Sequence, residues 1–134
     1  MYSQQQQRYL AEAVETASPA TRLVMVYDRL VLDLDRAENA CRSGDIAVAH
    51  QNLVHAQQIV GVLADTLDMT WSGAQNLHDL YEYLYQEMIS ANLEKSPARV
   101  ANCSSVVKPL AASWREAANV LVAQSLAEQR SGVA

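Results

Sequence analysis

Four stretches of this chain place apolar residues alternately three and four positions apart, and no stripe position carries Asp, Glu, His, Lys or Arg. This spacing is typical of helix faces that pack against other helices, close to the 3.5-residue repeat of left-handed bundles. The stripes are Ala20, Leu23, Tyr27, Leu30, Leu34, Ala37, Cys41; Ile46, Ala49, Leu53, Ala56, Val60, Leu63, Leu67; Ala74, Leu77, Tyr81, Leu84, Met88, Ala91; and Val100, Cys103, Val107, Leu110, Trp114, Ala117, Leu121. The sequence therefore predicts an all-α protein whose seams between helices are free of charge.

Composition limits the partners that such a chain can have. The 134 residues suit one domain, with a net charge of −5 and only 19% charged residues. Nucleic acids and anionic membranes bind clustered Lys and Arg, which this chain lacks. No apolar run approaches the roughly 20 residues of a membrane span, and the N-terminus lacks the layout of a signal peptide. We expect a cytoplasmic protein that neither binds nucleic acid nor inserts into membranes.

Capping residues mark the predicted helix ends. Ser18-Pro19 is a typical helix start, because Ser accepts a first-turn N–H and Pro fits the first helical position. Ser43-Gly44 ends the first helix, residues 70–73 form a later turn, and Ser96-Pro97 opens the last helix. Short connections force antiparallel neighbours. The sequence therefore predicts an antiparallel up-down four-helix bundle over residues 18–128.

Three segments depart from this regular pattern. Residues 1–17 combine a glutamine run with sparse apolar residues and are predicted to form an extended N-terminal arm. Pro109 lies inside the fourth helix, where it removes a backbone donor and clashes with the preceding turn. We therefore expect one kinked helix, with a split into two helices as the alternative. Residues 129–134 are predicted to be a flexible tail.

Few residues could carry chemistry. Metal centres in helical bundles need inward Glu residues and Glu-x-x-His pairs, but His50, His55 and His78 have no acidic residue three positions before them. Cys41 and Cys103 are interpreted as reduced, buried residues. No phosphate-binding loop or nucleophile motif occurs. We predict no enzyme activity, metal or cofactor; the alternative is an enzyme or metal-binding bundle with a site at a helix end, built from His50, His55 and nearby carboxylates.

Further apolar side chains lie beside the four stripes. They either widen the core faces or line grooves that accept an apolar segment of a partner, and the tyrosines favour binding. A generic helical adaptor with another client also fits this surplus, and self-association stays open. The surplus residues are Val24, Val31, Val48, Ile59, Val62, Leu80, Tyr83, Tyr85, Ile89, Val106, Val120 and Val122.

Short motifs occur in a fixed order along residues 2–118. They include Tyr9, Thr16-Ala17-Ser18-Pro19, Tyr27-Asp28, Gly44-Asp45, Leu80-Tyr81-Glu82-Tyr83-Leu84, Ala91-Asn92-Leu93 and Trp114. In this order and spacing the chain resembles the flagellar secretion (export) chaperone family FliS. The resemblance implies a non-enzymatic chaperone that binds the C-terminal segment of flagellin in apolar grooves between helices. Such a protein would block premature polymerisation and deliver flagellin to the export gate of the flagellar type III apparatus.

The resemblance also implies where the client binds. Tyr9 matches the arm tyrosine of the family, Tyr27-Asp28 its first-helix motif, and Tyr81, Tyr83, Leu84 and Asn92 its third-helix motif. Together with neighbouring apolar residues, they form the predicted partner-binding set. Its members are Tyr9, Leu10, Val14, Tyr27, Asp28, Ile59, Val62, Leu80, Tyr81, Tyr83, Leu84 and Asn92.

Overall fold

The computed structural model describes residues 3–6 and 18–132. Helix α1 spans Pro19–Ser43, α2 spans Ile46–Asp65, α3 spans Ala74–Glu94 and α4 spans Pro97–Ser131. Within the predicted arm, residues 4–6 form a helical turn, and the backbone N–H of Gln6 donates to Ser3 Oγ at 3.2 Å. The described residues contain no strand. The all-α prediction is confirmed.

The helix ends follow their capping residues. Ser18 Oγ accepts the backbone N–H of Thr21 at 3.2 Å, and Asp45 Oδ1 accepts that of Val48 at 3.2 Å. Each cap satisfies a first-turn donor that has no partner within the helix. Gly44 has a φ of +77°, the left-handed conformation that ends α1 and that glycine adopts without strain.

Helix α4 differs from the sequence-based expectation. It runs as one helix through Pro109 and into the predicted tail as far as Ser131, so the split into two helices is not seen. The predicted seam residues Ala117 and Leu121 are exposed, whereas Ala118 is buried. A straight helix has 3.6 residues per turn, so a stripe spaced at 3.5 drifts away from the buried side over several turns.

The chain divides into two compact units, and α1 and α4 contribute to both. Unit 1 comprises Met1–Asp28 and Pro109–Ala134, and unit 2 comprises Arg29–Lys108. In unit 1 the rings of Tyr27 and Trp114 lie with centroids 6.3 Å apart and planes tilted by 56°. Next to them in sequence, Arg115 pairs with Asp28, with Nη2 at 2.6 Å from Oδ2. These contacts join α1 to α4 within unit 1.

Unit 2 contains segments of all four helices around buried Leu30, Leu53 and Leu84. Polar contacts join each helix to its neighbour in sequence and α4 back to α1. They are His55–Asp33 between α2 and α1, Asn92–His50 between α3 and α2, Arg99–Glu87 between α4 and α3, and Lys108–Asp35 between α4 and α1. Unit 2 therefore has the neighbour order expected of a bundle.

The sequence predicted seams that are free of charge, and this prediction is wrong for the seam between α1 and α2. Asp33 is fully buried; its Oδ1 accepts Arg29 Nε–H at 3.0 Å, and its Oδ2 contacts His55 Nδ1. The side chains of Arg29 and His55 are each almost half exposed. A buried carboxylate needs such partners, because an unpaired charge away from water is strongly unfavourable. The prediction counted only stripe positions, and Asp33 lies just beside one.

Candidate functional site

A groove runs between α2 and α3 within unit 2. One part of it has a volume of about 550 Å³, with buried Val60 and Tyr81 at its floor and Asp65 and Glu82 exposed at its mouth. We call this part the acidic compartment. Its lining is Val60, Gly61, Ala64, Asp65, His78, Tyr81, Glu82, Tyr85 and Gln86.

A second, shallower part of about 440 Å³ adjoins the first and shares Gly61, Asp65 and Tyr85 with it. We call it the apolar compartment, and the two together the α2–α3 groove. Its lining is Val54, Gln57, Gln58, Gly61, Val62, Asp65 and Tyr85. Val62 is 60% exposed, so an apolar side chain that could be covered by a partner faces water.

The groove exists because small side chains on α2 face a large one on α3. Gly61 has no side chain, and a Cβ placed there would meet only Tyr85 Cε2, at 3.8 Å. Tyr85 remains 38% exposed, because nothing larger than a glycine stands opposite its ring. A glycine inside a helix costs stability relative to alanine, so its presence there often has a packing or functional reason. Helices α2 and α3 therefore pack through their floor residues and separate toward solvent.

The electrostatic character of the groove is acidic. Asp65 on α2 and Glu82 on α3 contribute carboxylates from opposite walls, and no Lys or Arg is among the residues that line either compartment. His78 is the one basic side chain of the lining, with Nδ1 at 3.7 Å from Glu82 Oε1. The groove can therefore offer carboxylate acceptors to a bound cationic group.

The structure brings some predicted partner-binding residues to this groove. Val62 lines the apolar compartment, and Tyr81 lies at the floor of the acidic one. Asn92 lies on the same seam further along, where its Nδ2 donates to His50 Nδ1 at 3.0 Å. Asn92 also accepts a hydrogen bond from Lys95 Nζ at 2.7 Å and thereby supports the end of α3.

Other members of the predicted set lie on different sides. Leu80 and Tyr83 share a face of α3 with Glu87, which pairs with Arg99 of α4. Ile59 lies one turn after His55, on the side of α2 that faces α1. The structure therefore distributes these three residues over two flanks away from the groove.

Three members of the set have structural contacts within the protein itself, and three lie outside the described residues. Tyr27 and Leu84 are each only 1% exposed, so in this conformation they pack in the core and could meet a client only if it opened. Asp28 is exposed and occupied by Arg115 in unit 1. The arm positions Tyr9, Leu10 and Val14 lie outside the described residues.

Sequence reasoning did not assign Gly61, Tyr85 or Val54 to the site. Tyr85 was recognised as surplus apolar surface, but periodicity does not show what stands opposite a side chain on the next helix. The signal that could have found the groove is Gly61, which interrupts the apolar sequence Ile59-Val60-Gly61-Val62-Leu63 within α2.

The described residues do not assemble the alternative site at His50 and His55. His50 contacts Asn92 of α3, whereas His55 contacts Asp33 of α1, so the two imidazoles face different neighbours. Burial raises the pKa of the Cys103 thiol to about 12, so this sulfur stays protonated at neutral pH and is a poor nucleophile. None of the described helices is both long enough and apolar enough to span a membrane.

An all-α chain with an open, partly apolar groove between packed helices has the features of a helical module that holds a segment of another protein. A model of the family described as "Flagellar protein FliS" matches residues 1–121, so the chain belongs to the FliS family. This confirms the resemblance seen in the sequence. The family is a chaperone family and not an enzyme family.

Two relatives carry the name of this family, and one solved structure shares the fold. The chain is 25% identical over 109 residues to the flagellar secretion chaperone FliS of Bacillus subtilis. This match covers 81% of this chain and 82% of the relative. It is 28% identical over 107 residues to the flagellar secretion chaperone FliS of Salmonella typhimurium. This match covers 78% of this chain and 79% of the relative. A crystal structure described as a flagellar chaperone from bacteria shares the fold, with a TM-score of 0.70 and 18% identity. The match covers 84% of this chain and 94% of the chain in that structure.

Proposed function

We propose that this protein binds the C-terminal segment of flagellin in the α2–α3 groove. It would keep the client from polymerising prematurely and deliver it to the export gate of the flagellar type III apparatus. Because a client must be met before it is exported, the proposal places the protein in the cytoplasm. Membership of the FliS family supports the chaperone role, and the open groove beside Gly61 and Tyr85 is the observation that carries the binding site.

The dimensions of the groove suit a helical segment. The lining on α2 extends from Val54 to Asp65, which corresponds to about 17 Å or three helical turns. An apolar face of a client helix could cover Val62 and the ring of Tyr85, which are both accessible to water. Ordering a disordered client costs about 2–5 kcal/mol, and burial of apolar surface must exceed this amount.

Isothermal titration calorimetry with a peptide of the flagellin C-terminal segment tests the proposal. Because the gain is burial of apolar surface, we expect a complex with a negative heat-capacity change. A peptide of the same composition in scrambled order is the control. Absence of both heat and a complex on a sizing column would refute the proposal.

Contacts outside the groove belong to the same proposal, since a long client segment can follow more than one flank. On the α4 side of α3, Tyr83 is 50% exposed and lies one turn from Leu80. Truncation of Tyr83 to Ala should weaken client binding without loss of helicity, whereas truncation of exposed Leu126 in α4 is the matched control. Equal affinities for both variants would remove the Tyr83 flank from the site.

The arm is a further part of the proposal. Tyr9, Leu10 and Val14 are apolar points in an otherwise polar segment, and we propose that they contribute to client binding. Deletion of residues 1–15 should change the dissociation constant of the flagellin peptide while the circular dichroism of the helices is retained. An unchanged constant would exclude the arm from the mechanism.

A further inference from the structure

We infer that the α2–α3 groove selects a client helix that carries a Lys or Arg one helical turn away from an apolar residue. The inference rests on the proposed function and specifies the chemistry of the segment that this groove accepts. The apolar residue would cover Gly61 and Tyr85, and the cation would lie between Asp65 and Glu82. Each part follows from a different property of the groove.

The first property is the state of the two carboxylates. Elsewhere in unit 2, Asp33, Asp35 and Glu87 are each paired with Arg or Lys of the chain itself. Within residues 18–132, by contrast, Asp65 forms no ion pair, and Glu82 has only His78 at 3.7 Å. Carboxylates on two walls of one groove give it a negative potential that favours a bound cation. The groove is therefore complementary to a positively charged ligand group.

The second property is the spacing of the acidic and apolar contacts. Asp65 lies one turn after Gly61 on α2, a distance of about 6 Å along the axis. On the facing wall, Glu82 lies one turn before Tyr85 on α3, and both compartments meet at Tyr85. Because α2 and α3 are antiparallel, the two carboxylates lie toward the same end of the groove. A helix in the groove would thus meet apolar surface and carboxylates one turn apart.

This spacing defines a pattern in the client. On a helix, residues three or four positions apart lie on the same face. The occupant should therefore carry an apolar residue and a Lys or Arg at a separation of three or four, on the face opposite its solvated side. An extended segment would need a different pattern: its side chains alternate between faces at about 3.3 Å per residue, so the same distance would join residues two positions apart.

The test compares the affinity of the full-length chain and its variants for the flagellin C-terminal peptide, measured by fluorescence anisotropy at low and high salt. The double variant Asp65→Asn with Glu82→Gln removes both carboxylates but keeps their shape. The matched control, Glu116→Gln with Glu128→Gln, removes the same charge from exposed positions on α4 that line neither compartment. Each single variant is measured as well, and circular dichroism verifies that helicity is unchanged.

We expect the double variant to bind about three- to fivefold more weakly, because solvent-exposed ion pairs have modest strength. Its affinity should also depend less on salt than that of the wild type, while the control variant follows the wild type. A peptide with every Lys and Arg changed to Gln should lose the same factor on the wild type. It should lose nothing further on the double variant, because the two changes remove one interaction.

The outcomes of this experiment distinguish an error in this inference from an error in the proposed function. Equal affinity of the wild type and the double variant, or an equal loss in the control, would overturn this inference and leave the proposed function intact. A flagellin C-terminal segment that binds in the groove but has no Lys or Arg at this spacing would do the same. If the wild type does not bind the peptide at all, the proposed function and this inference are both wrong.

Discussion

The two flanks of helix α2 differ: one contacts a buried carboxylate of α1, and the other lines an open groove with α3. On the flank toward α1, His55 contacts the buried carboxylate of Asp33, which also accepts a hydrogen bond from Arg29. On the flank toward α3, Gly61 leaves space beside Tyr85, and the seam opens into a groove. Between them, Leu53 and Val60 are fully buried. One helix thus combines a fixed seam with an accessible one.

The difference shows how a small bundle can offer a binding surface without weakening its core. A buried charge is satisfied only when its partners stay in place, so the Asp33 cluster favours one arrangement of α1 and α2. On the other flank, Val60 and Tyr81 pack at the floor of the groove, and Asn92 of α3 donates to His50 of α2 further along the seam. The accessible surface of this flank lies beside Gly61, where neither Asp65 nor Glu82 forms an ion pair with a Lys or Arg of the described residues.

The largest effect on stability should come from the flank of α2 that faces α1. Substitution of Arg29 and His55 together by Ala leaves the Asp33 carboxylate buried without its two partners, which should destabilise the fold by about 3–5 kcal/mol. Urea denaturation followed by circular dichroism measures this difference. Lys108→Ala is the control, because its ion pair with Asp35 is half exposed and should contribute less than about 1 kcal/mol.

Replacement of Asp33 itself separates the effect of its charge from that of its packing. Asp33→Leu removes the buried charge itself, and an apolar residue of similar size is often neutral or stabilising in place of a buried ion pair. We expect a free energy of unfolding within about 1 kcal/mol of the wild type. A loss as large as that of the double Ala variant would mean that Asp33 supports the seam in some way other than through charge.

The next effect concerns the open flank. Gly61→Leu places a side chain in the space beside Tyr85, where an added Cβ alone would lie 3.8 Å from Tyr85 Cε2. We expect the flagellin peptide to bind roughly tenfold more weakly or worse, while thermal stability is retained, since the new side chain extends into solvent-filled space. Undiminished affinity would show that the client does not occupy the groove.

The smallest effect should come from Gly61→Ala. Glycine within a helix is less favourable than alanine by about 0.5–1 kcal/mol, and the added Cβ would make an ordinary contact with Tyr85 at 3.8 Å. The variant should therefore be more stable by about this amount in urea denaturation. Paired with Gly61→Leu, it separates the effect of helix propensity from that of filling the groove. A destabilised variant would indicate that α2 and α3 approach more closely at this level.

Much of the fold could be predicted from the sequence, because local chemistry determines it. Caps such as Ser18 and Asp45 set helix ends, and the stripe spacing identified Leu30, Leu53 and Leu84 as core residues. The resemblance to FliS was carried by motifs in order, and the match over residues 1–121 confirms it.

The site was harder to predict, because it depends on which residues face each other across helices. Asp33 has one local partner, Arg29, but its other partner, His55, is distant in sequence, and a local ion pair of this kind does not show that the carboxylate is buried. The groove arises from Gly61 opposite Tyr85, and the register between α2 and α3 decides that pairing. The drift of α4 away from its stripe accumulated over several turns, which a fixed spacing does not capture.

The two tryptophans of the chain fall one in each unit, since Trp71 lies in unit 2 and Trp114 in unit 1. The protein thus has an intrinsic fluorophore for each unit, with no label needed. In a Trp71→Phe variant the emission reports the surroundings of Trp114 beside Tyr27, and in a Trp114→Phe variant it reports the turn before α3. Coincident melting curves from the two emissions would mean that both units unfold in one cooperative transition, and separate curves would resolve two.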